Sequence, residues 1–172
     1  AAGEAVFPDF MNIRERPHIP GAFGSAPFDR EGVATTDRDL VAAGVLQGYV
    51  LSSYSARRLG LETTGNAGGV HNLLVEGNAE GRDTLIRQME RGLIVSELMG
   101  QGVNPVTGDY SRGAAGFWVE GGEIAYPVSE ITIAGNLRDL YRSIVAVGRD
   151  QDLRGVIRCG AVRVAEMTVA GN

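Results

Sequence analysis

Apolar and polar positions change rhythm several times along the chain, and each rhythm predicts an element. Val33–Val41 and Val45–Ser52 flank Ala42-Ala43-Gly44, a short glycine-containing turn, so the pair reads as a β-hairpin. Ser53–Leu59 fits a short helix stopped by Gly60, since glycine takes the left-handed C′ conformation without steric cost. Thr63–Val70, with Gly65, Gly68 and Gly69, reads as a loop, and Asn72–Glu76 returns to strand. Asp83–Gly92 sets Leu85, Ile86 and Met89 against Arg82, Arg87, Glu90 and Arg91, the pattern of an amphipathic helix capped by Asp83. Leu93–Met99 predicts a buried strand, and the glycine-rich polar stretch Gly100–Gly116 the longest loop. Gly116–Glu120 and Glu123–Pro127 flank Gly121-Gly122, a second hairpin. Glu130–Ala134 is a further strand. Asn136 can cap a helix carrying Leu137, Leu140, Tyr141 and Ile144 at i, i+3, i+4 and i+7. Val156–Val164 and Glu166–Val169 close the chain as strands.

Residues 1–27 break this regularity. Prolines at 8, 17, 20 and 27 remove backbone donors, and the stretch reads as an irregular opening segment laid over a surface. The ordered domain is then 28–172. The sum is an α+β fold, predominantly antiparallel β-sheet and barrel-like, with two or three short helices.

Composition narrows the class. Of 172 residues, 44% are hydrophobic and 22% charged, the balance of a folded domain with a core. Runs such as Leu93–Val95 and Ile144–Val147 are far too short to cross a bilayer. Ala1–Asp9 lacks the basic start and apolar stretch of a secretory signal, so the expected location is cytoplasmic, with no membrane partner. Net charge is −5, and every positive charge is an arginine. An acidic chain without a basic cluster argues against direct nucleic acid binding. The single cysteine, Cys159, leaves no internal disulfide, which suits a reducing compartment. The 25 glycines are spread along the whole chain, as turns and close backbone approaches in a β-rich fold require.

Chemistry-bearing residues are few. His18 and His71 stand far apart and in no HExxH-like frame, so spacing assembles no zinc site. His18, between prolines, is expected on the surface, and His71 is expected to bond backbone. Cys159 reads from its surroundings as a small buried hydrophobe; a nucleophile there would need a histidine base nearby. Gly65-Asn66-Ala67-Gly68-Gly69 lacks the Lys-Ser/Thr ending of a phosphate loop and reads as a turn. Thr107–Gly113 is richer, with acid, phenol, hydroxyl and guanidinium among glycines. Asp109, Tyr110 and Arg112 are the candidate substrate- or partner-binding residues, since an arginine fork can hold a peptide backbone or carboxylate. The plainer reading of this stretch is an Asx-type turn with Arg112 in a structural ion pair. No catalytic residue and no metal ligand is assigned.

Five ordered strings resemble a known family: Ser52–Leu61 (SSYSARRLGL), Thr64–Asn72 (TGNAGGVHN), Glu97–Asn104 (ELMGQGVN), Gly108–Glu120 (GDYSRGAAGFWVE) and Tyr126–Leu137 (YPVSEITIAGNL). They are similar to PmbA, also called TldE, of the TldD/PmbA metallopeptidase-related family, known too as modulator of DNA gyrase. The resemblance covers most of residues 26–172. It implies the C-terminal domain of a TldE/PmbA-like subunit, with an N-terminal domain lying before residue 1. The implied partner is a metal-bearing TldD-like subunit in a cytoplasmic heterodimer, a homodimer being the other arrangement. The implied work is maturation or turnover of peptides, with an unfolded peptide as substrate.

TldD-like chains carry an HExxxH motif upstream and a cysteine near the C-terminus. Cys159 stands at about that cysteine's place, but in flanks of the TldE kind. The resemblance therefore implies no cofactor in this chain, Cys159 as a ligand-like position only, and zinc in the TldD-like partner. Two rivals stay open. One is a self-sufficient zinc metallopeptidase whose HExxxH motif lies upstream and whose third ligand is Cys159. The other is a DNA gyrase-related regulatory protein.

Overall fold

The computed structural model describes residues 2–171. Its elements are β1 (Ile13–Glu15), β2 (Arg38–Ala42), β3 (Val45–Leu46), α1 (Ser53–Leu59), β4 (Leu73–Val75), α2 (Arg82–Arg87), β5 (Arg91–Met99), β6 (Asp109–Glu120), β7 (Glu123–Asn136), α3 (Leu137–Arg142), β8 (Ile144–Val147), β9 (Ile157–Arg158), β10 (Val162–Val164) and β11 (Thr168–Ala170). They form a five-stranded sheet β3-β2-β1-β4-β9, a two-stranded sheet β10-β8 and a four-stranded sheet β11-β7-β6-β5. The strands pair antiparallel except β4 with β9. The fold is α+β, as expected. Its sheets stay separate and do not close into a barrel.

Local chemistry explains the parts that match. The Ser52 hydroxyl accepts the Ser55 N–H in a capping box at the start of α1, and Gly60 ends the helix at φ 67. Asn136 caps α3 by accepting the Arg138 N–H at 3.1 Å. Ala43 and Gly44, at φ 48 and 77, make the turn between β2 and β3, and Gly121 and Gly122, at φ 59 and 81, the turn between β6 and β7.

Several expectations need correction. The opening segment 1–27 is not merely irregular, because it supplies β1, the middle strand of the five-stranded sheet. Pro8 and Pro17 flank that strand and do not interrupt it. The helix at 83–92 stops at Arg87, and Gly81, not Asp83, occupies its cap position. Arg91 and Gly92 belong to β5, with the Met89 methyl folded close against Gly92. The loop Gly100–Gly116 ends at Gly108, since β6 already runs from Asp109. Glycine within β6 serves close packing: Gly116 lies against the Ile94 carbonyl, where a side chain would not fit.

Two apolar clusters hold the layers. Met11, Val41, Val75, Ile144 and Val147 centre the first, with Phe7, Phe10 and Cys159 packed around them. Ala114, Ile131 and Ile133 centre the second, beneath Leu93, Tyr110, Val128 and Met167. Among the described residues no helix is long and apolar enough to cross a membrane.

Candidate functional site

The glycine loop before β4 closes over a buried polar network. Glu15, at the end of β1, is 2% exposed. Its carboxylate takes the Arg38 Nε–H at 2.8 Å, the Asn66 Nδ2–H at 2.7 Å and the His71 backbone N–H at 2.7 Å. Asn72, fully buried, accepts the Gly24 N–H and donates to the Arg16 carbonyl and the Ser25 hydroxyl. Asp29 accepts the N–H groups of Glu31, Val33 and Ala67. The loop is thus a structural turn, as its sequence suggests, held by carboxylates distant in sequence. Spacing gives no sign of them; only the alternation of Ile13-Arg14-Glu15 in a strand would have turned Glu15 inward.

Burial works to raise the Asp29 carboxyl, but the three N–H donors and the nearby His71 hold it below the ordinary carboxylate range. A depressed folded-state value contributes stability above the unfolded value of about 3.9, and that stability is lost as pH falls through the folded value. Asp29→Asn therefore lowers the melting temperature at pH 7. It also flattens the fall in melting temperature between about pH 5 and pH 2. A thermal melt series in both forms checks this, and parallel pH profiles would contradict it.

His18 is exposed and its Nε2 lies 3.0 Å from the Thr35 hydroxyl. That hydroxyl gives its one hydrogen to the Ala26 carbonyl, so Nε2 of His18 is the donor. The His71 ring Nε2 is buried without a hydrogen-bond partner, while its backbone N–H serves Glu15.

The three candidate binding residues lie within the first four positions of β6 but face two ways. Asp109 is exposed. It accepts the Thr107 hydroxyl at 2.6 Å and the Asn136 Nδ2–H at 3.3 Å. Tyr110 is half-buried over Ala114, Ile131 and Ile133. Arg112 shares that inner side, opposite Ile133. Its Nη2 donates to the Leu98 carbonyl at 3.4 Å, and its Nε is buried with no hydrogen-bond partner. The ion pair considered for Arg112 is not formed among the described residues. The preceding turn is an Asx turn, with Asn104 Oδ1 accepting the N–H groups of Val106 and Thr107. Beside it a shallow cleft of about 330 Å³ is lined by Val103, Asn104, Asp109 and Tyr110. A second, of about 410 Å³, lies between α3 and β11, with Asn136, Asp139, Glu166 and Thr168 on its walls. Asn136 touches both regions.

Cys159 packs against the first apolar cluster, and burial pushes its thiol up. A zinc ligand must be a thiolate, which a positive or metal-rich setting favours and an apolar one opposes. Among the described residues no three of His, Cys, Asp and Glu gather as a metal site. The residues at hand do not fit a zinc centre by themselves.

Residues 1–171 match the family described as PmbA/TldA metallopeptidase C-terminal domain. The chain belongs to that family, and the match takes in residues 1–27 as well as 28–171. It is 54% identical over 169 residues to the metalloprotease PmbA of Escherichia coli O157:H7, covering 98% of this chain and 38% of that protein. The Haemophilus influenzae homologue of PmbA is 53% identical, with 99% and 38% covered. Among solved structures, a Bacteroides thetaiotaomicron protein named as a modulator of DNA gyrase superposes with TM-score 0.92 at 34% identity, covering 99% of this chain and 38% of that one. TldE of Thermococcus kodakarensis superposes with TM-score 0.84 at 25% identity, with 99% and 42% covered. The chain thus spans well under half the length of these relatives.

Proposed function

We propose that this domain belongs to a TldE-type subunit that carries no catalytic metal and works with a TldD-like, zinc-bearing partner in cytoplasmic peptide maturation or turnover. What supports the reading is the setting of Cys159. By resemblance it takes a ligand-like position, yet its apolar surroundings favour the neutral thiol. An unfolded peptide would lie between the Asn104 turn and the α3–β11 cleft, adding to the short β11 margin as a further strand. Asp109 and Tyr110 line that path, and the Arg112 guanidinium, donating to the Leu98 carbonyl, stands behind them.

The test is zinc content of the full-length protein and of Cys159→Ala, followed by peptide turnover after adding a TldD-like chain. The expected result is no zinc in either form and turnover only in the mixture. Arg112→Ala should cut that turnover about tenfold or more, the worth of a hydrogen bond to a charged group, with an unchanged melting temperature. Near-stoichiometric zinc that falls in Cys159→Ala would overturn the reading in favour of a self-sufficient metallopeptidase.

A further inference from the structure

Helix α1 does little for the fold that carries it. Of its seven residues only Ala56 is buried. Tyr54 is 63% exposed, and Leu59 and Leu61, on either side of the Gly60 cap, are 58 and 47% exposed. Arg57 and Arg58 lie exposed in its last turn. Cations at a helix C-terminus offset the macrodipole, which is the plain account of them. The last carbonyls need no such help, because those of Arg57 and Ala56 already accept the N–H groups of Gly60 and Leu61. Among the described residues neither guanidinium has a hydrogen bond or an ion pair, although Glu62 stands only a few positions on. Arg14, Arg16, Arg38 and Arg154, by contrast, are ion-paired. The adjoining loop adds a third unengaged cation. The Glu31 carboxylate accepts the Ser53 N–H at 2.9 Å and ties that loop to the start of α1. Beside it the Arg30 stem lies over Gly68, in space that a Cβ would fill, and its guanidinium too has no partner among the described residues.

We propose that the outer face of α1 is a docking surface for a short acidic peptide segment, with Arg57 and Arg58 receiving its carboxylates and Tyr54 and Leu61 its apolar side chains. Residues four apart share a helix face, so Tyr54 stands beside Arg58. The left-handed turn at Gly60 brings Leu61 back to the same end of the helix, where its N–H meets the Ala56 carbonyl. A guanidinium presents a rigid fork of donors that fits a carboxylate. Tyrosine and arginine are also the side chains that most often carry binding energy at interfaces. Charge selects the occupant, since a segment bearing carboxylates satisfies forks that the fold leaves open. It selects a short segment over a long polyanion as well. The chain carries a net charge of −5, which repels a nucleic acid or an anionic bilayer extending past the patch. The surface shares no residue with the cleft beside the Asn104 turn or the cleft between α3 and β11. It concerns binding alone and does not depend on the peptidase reading.

Fluorescence anisotropy with the full-length protein tests this, using a short fluorescein-labelled peptide of aspartate, glutamate and leucine. Binding that weakens as salt rises is expected. Arg57→Ala combined with Arg58→Ala should weaken it about tenfold or more, the worth of hydrogen bonds between charged groups, and Tyr54→Ala roughly fivefold. Both variants should keep the parent's melting temperature, because these side chains support nothing else in the fold. Arg138→Ala, which removes an exposed arginine of α3, should bind the peptide like the parent. The proposal is overturned if the acidic peptide does not bind, if the paired arginine variant binds it as well as the parent, or if a peptide of lysine and leucine binds equally. It is overturned too if a single-stranded oligonucleotide or phosphatidylserine vesicles bind through Arg57 and Arg58 more tightly than the peptide does. Zinc content and turnover are read separately, so this proposal and the functional reading fail independently.

Discussion

Replacing Glu15 by alanine removes about 3–5 kcal/mol of folding stability. The carboxylate is nearly inaccessible and answers three donors at once, from Arg38, Asn66 and the His71 backbone. Alanine leaves all three without an acceptor inside the fold, and an unpaired buried donor bears its full desolvation penalty. It also strands the Arg38 guanidinium, 18% exposed, whose Nη1 is tied to the Tyr49 carbonyl and whose Nη2 already lacks a partner. Arg38→Ala should cost less, because N–H groups from Asn66 and His71 still hold Glu15. Glu15→Gln should fall between them, keeping one acceptor oxygen and losing the charge. Urea unfolding at neutral pH measures the series. A loss under about 1 kcal/mol for Glu15→Ala would mean that water fills the site, and would remove the network from the account of stability.

Gly116→Ala should cost about 3 kcal/mol, the upper end for overpacking, and leave the glycine loop intact. A Cβ there overlaps the Ile94 carbonyl, which is backbone and cannot rotate away. Strand β5 must move off β6 at its bulge, where the Ser96 hydroxyl now bonds the Ala115 carbonyl. Gly121→Ala is the contrast. Its Cβ meets open space, and the cost is only that of a left-handed φ of 59, about 1 kcal/mol. Melting followed by circular dichroism ranks the two. Equal losses would show that strain in the turn, and not contact between β5 and β6, limits this sheet.

Legibility in the sequence followed the range of the interaction. The Gly60 stop, the Gly121-Gly122 turn and the Asn136 cap are set by residues within a few positions, and each stands where its pattern puts it. β1 was hidden because three residues, Ile13-Arg14-Glu15, are too short to show alternation and carry two charges among prolines. Its identity as a strand comes from β2 and β4, distant in sequence, which supply its hydrogen bonds. β7 was read as two strands because Pro127 and Ser129-Glu130 interrupt the pattern; β6 bridges the break from the other side. The pairing of Glu15 with Arg38, Asn66 and His71 leaves no periodic trace. Asp109, Tyr110 and Arg112 stood out by composition, but only the alternation of β6 shows that Asp109 faces away from the other two.

The placement of β1 between strands from far down the chain sets an order of assembly. The β6–β7 hairpin pairs neighbours in sequence and has little loop entropy to overcome. The five-stranded sheet cannot be completed until β9, near the far end, docks beside β4. On a ribosome, β1 emerges before the other strands of this sheet and has β2 to pair with early, but its other flank waits for β4, and β4 waits for β9. Until synthesis reaches residue 158, the nascent chain therefore carries an unfinished sheet margin, and premature termination before that point leaves a product prone to aggregate.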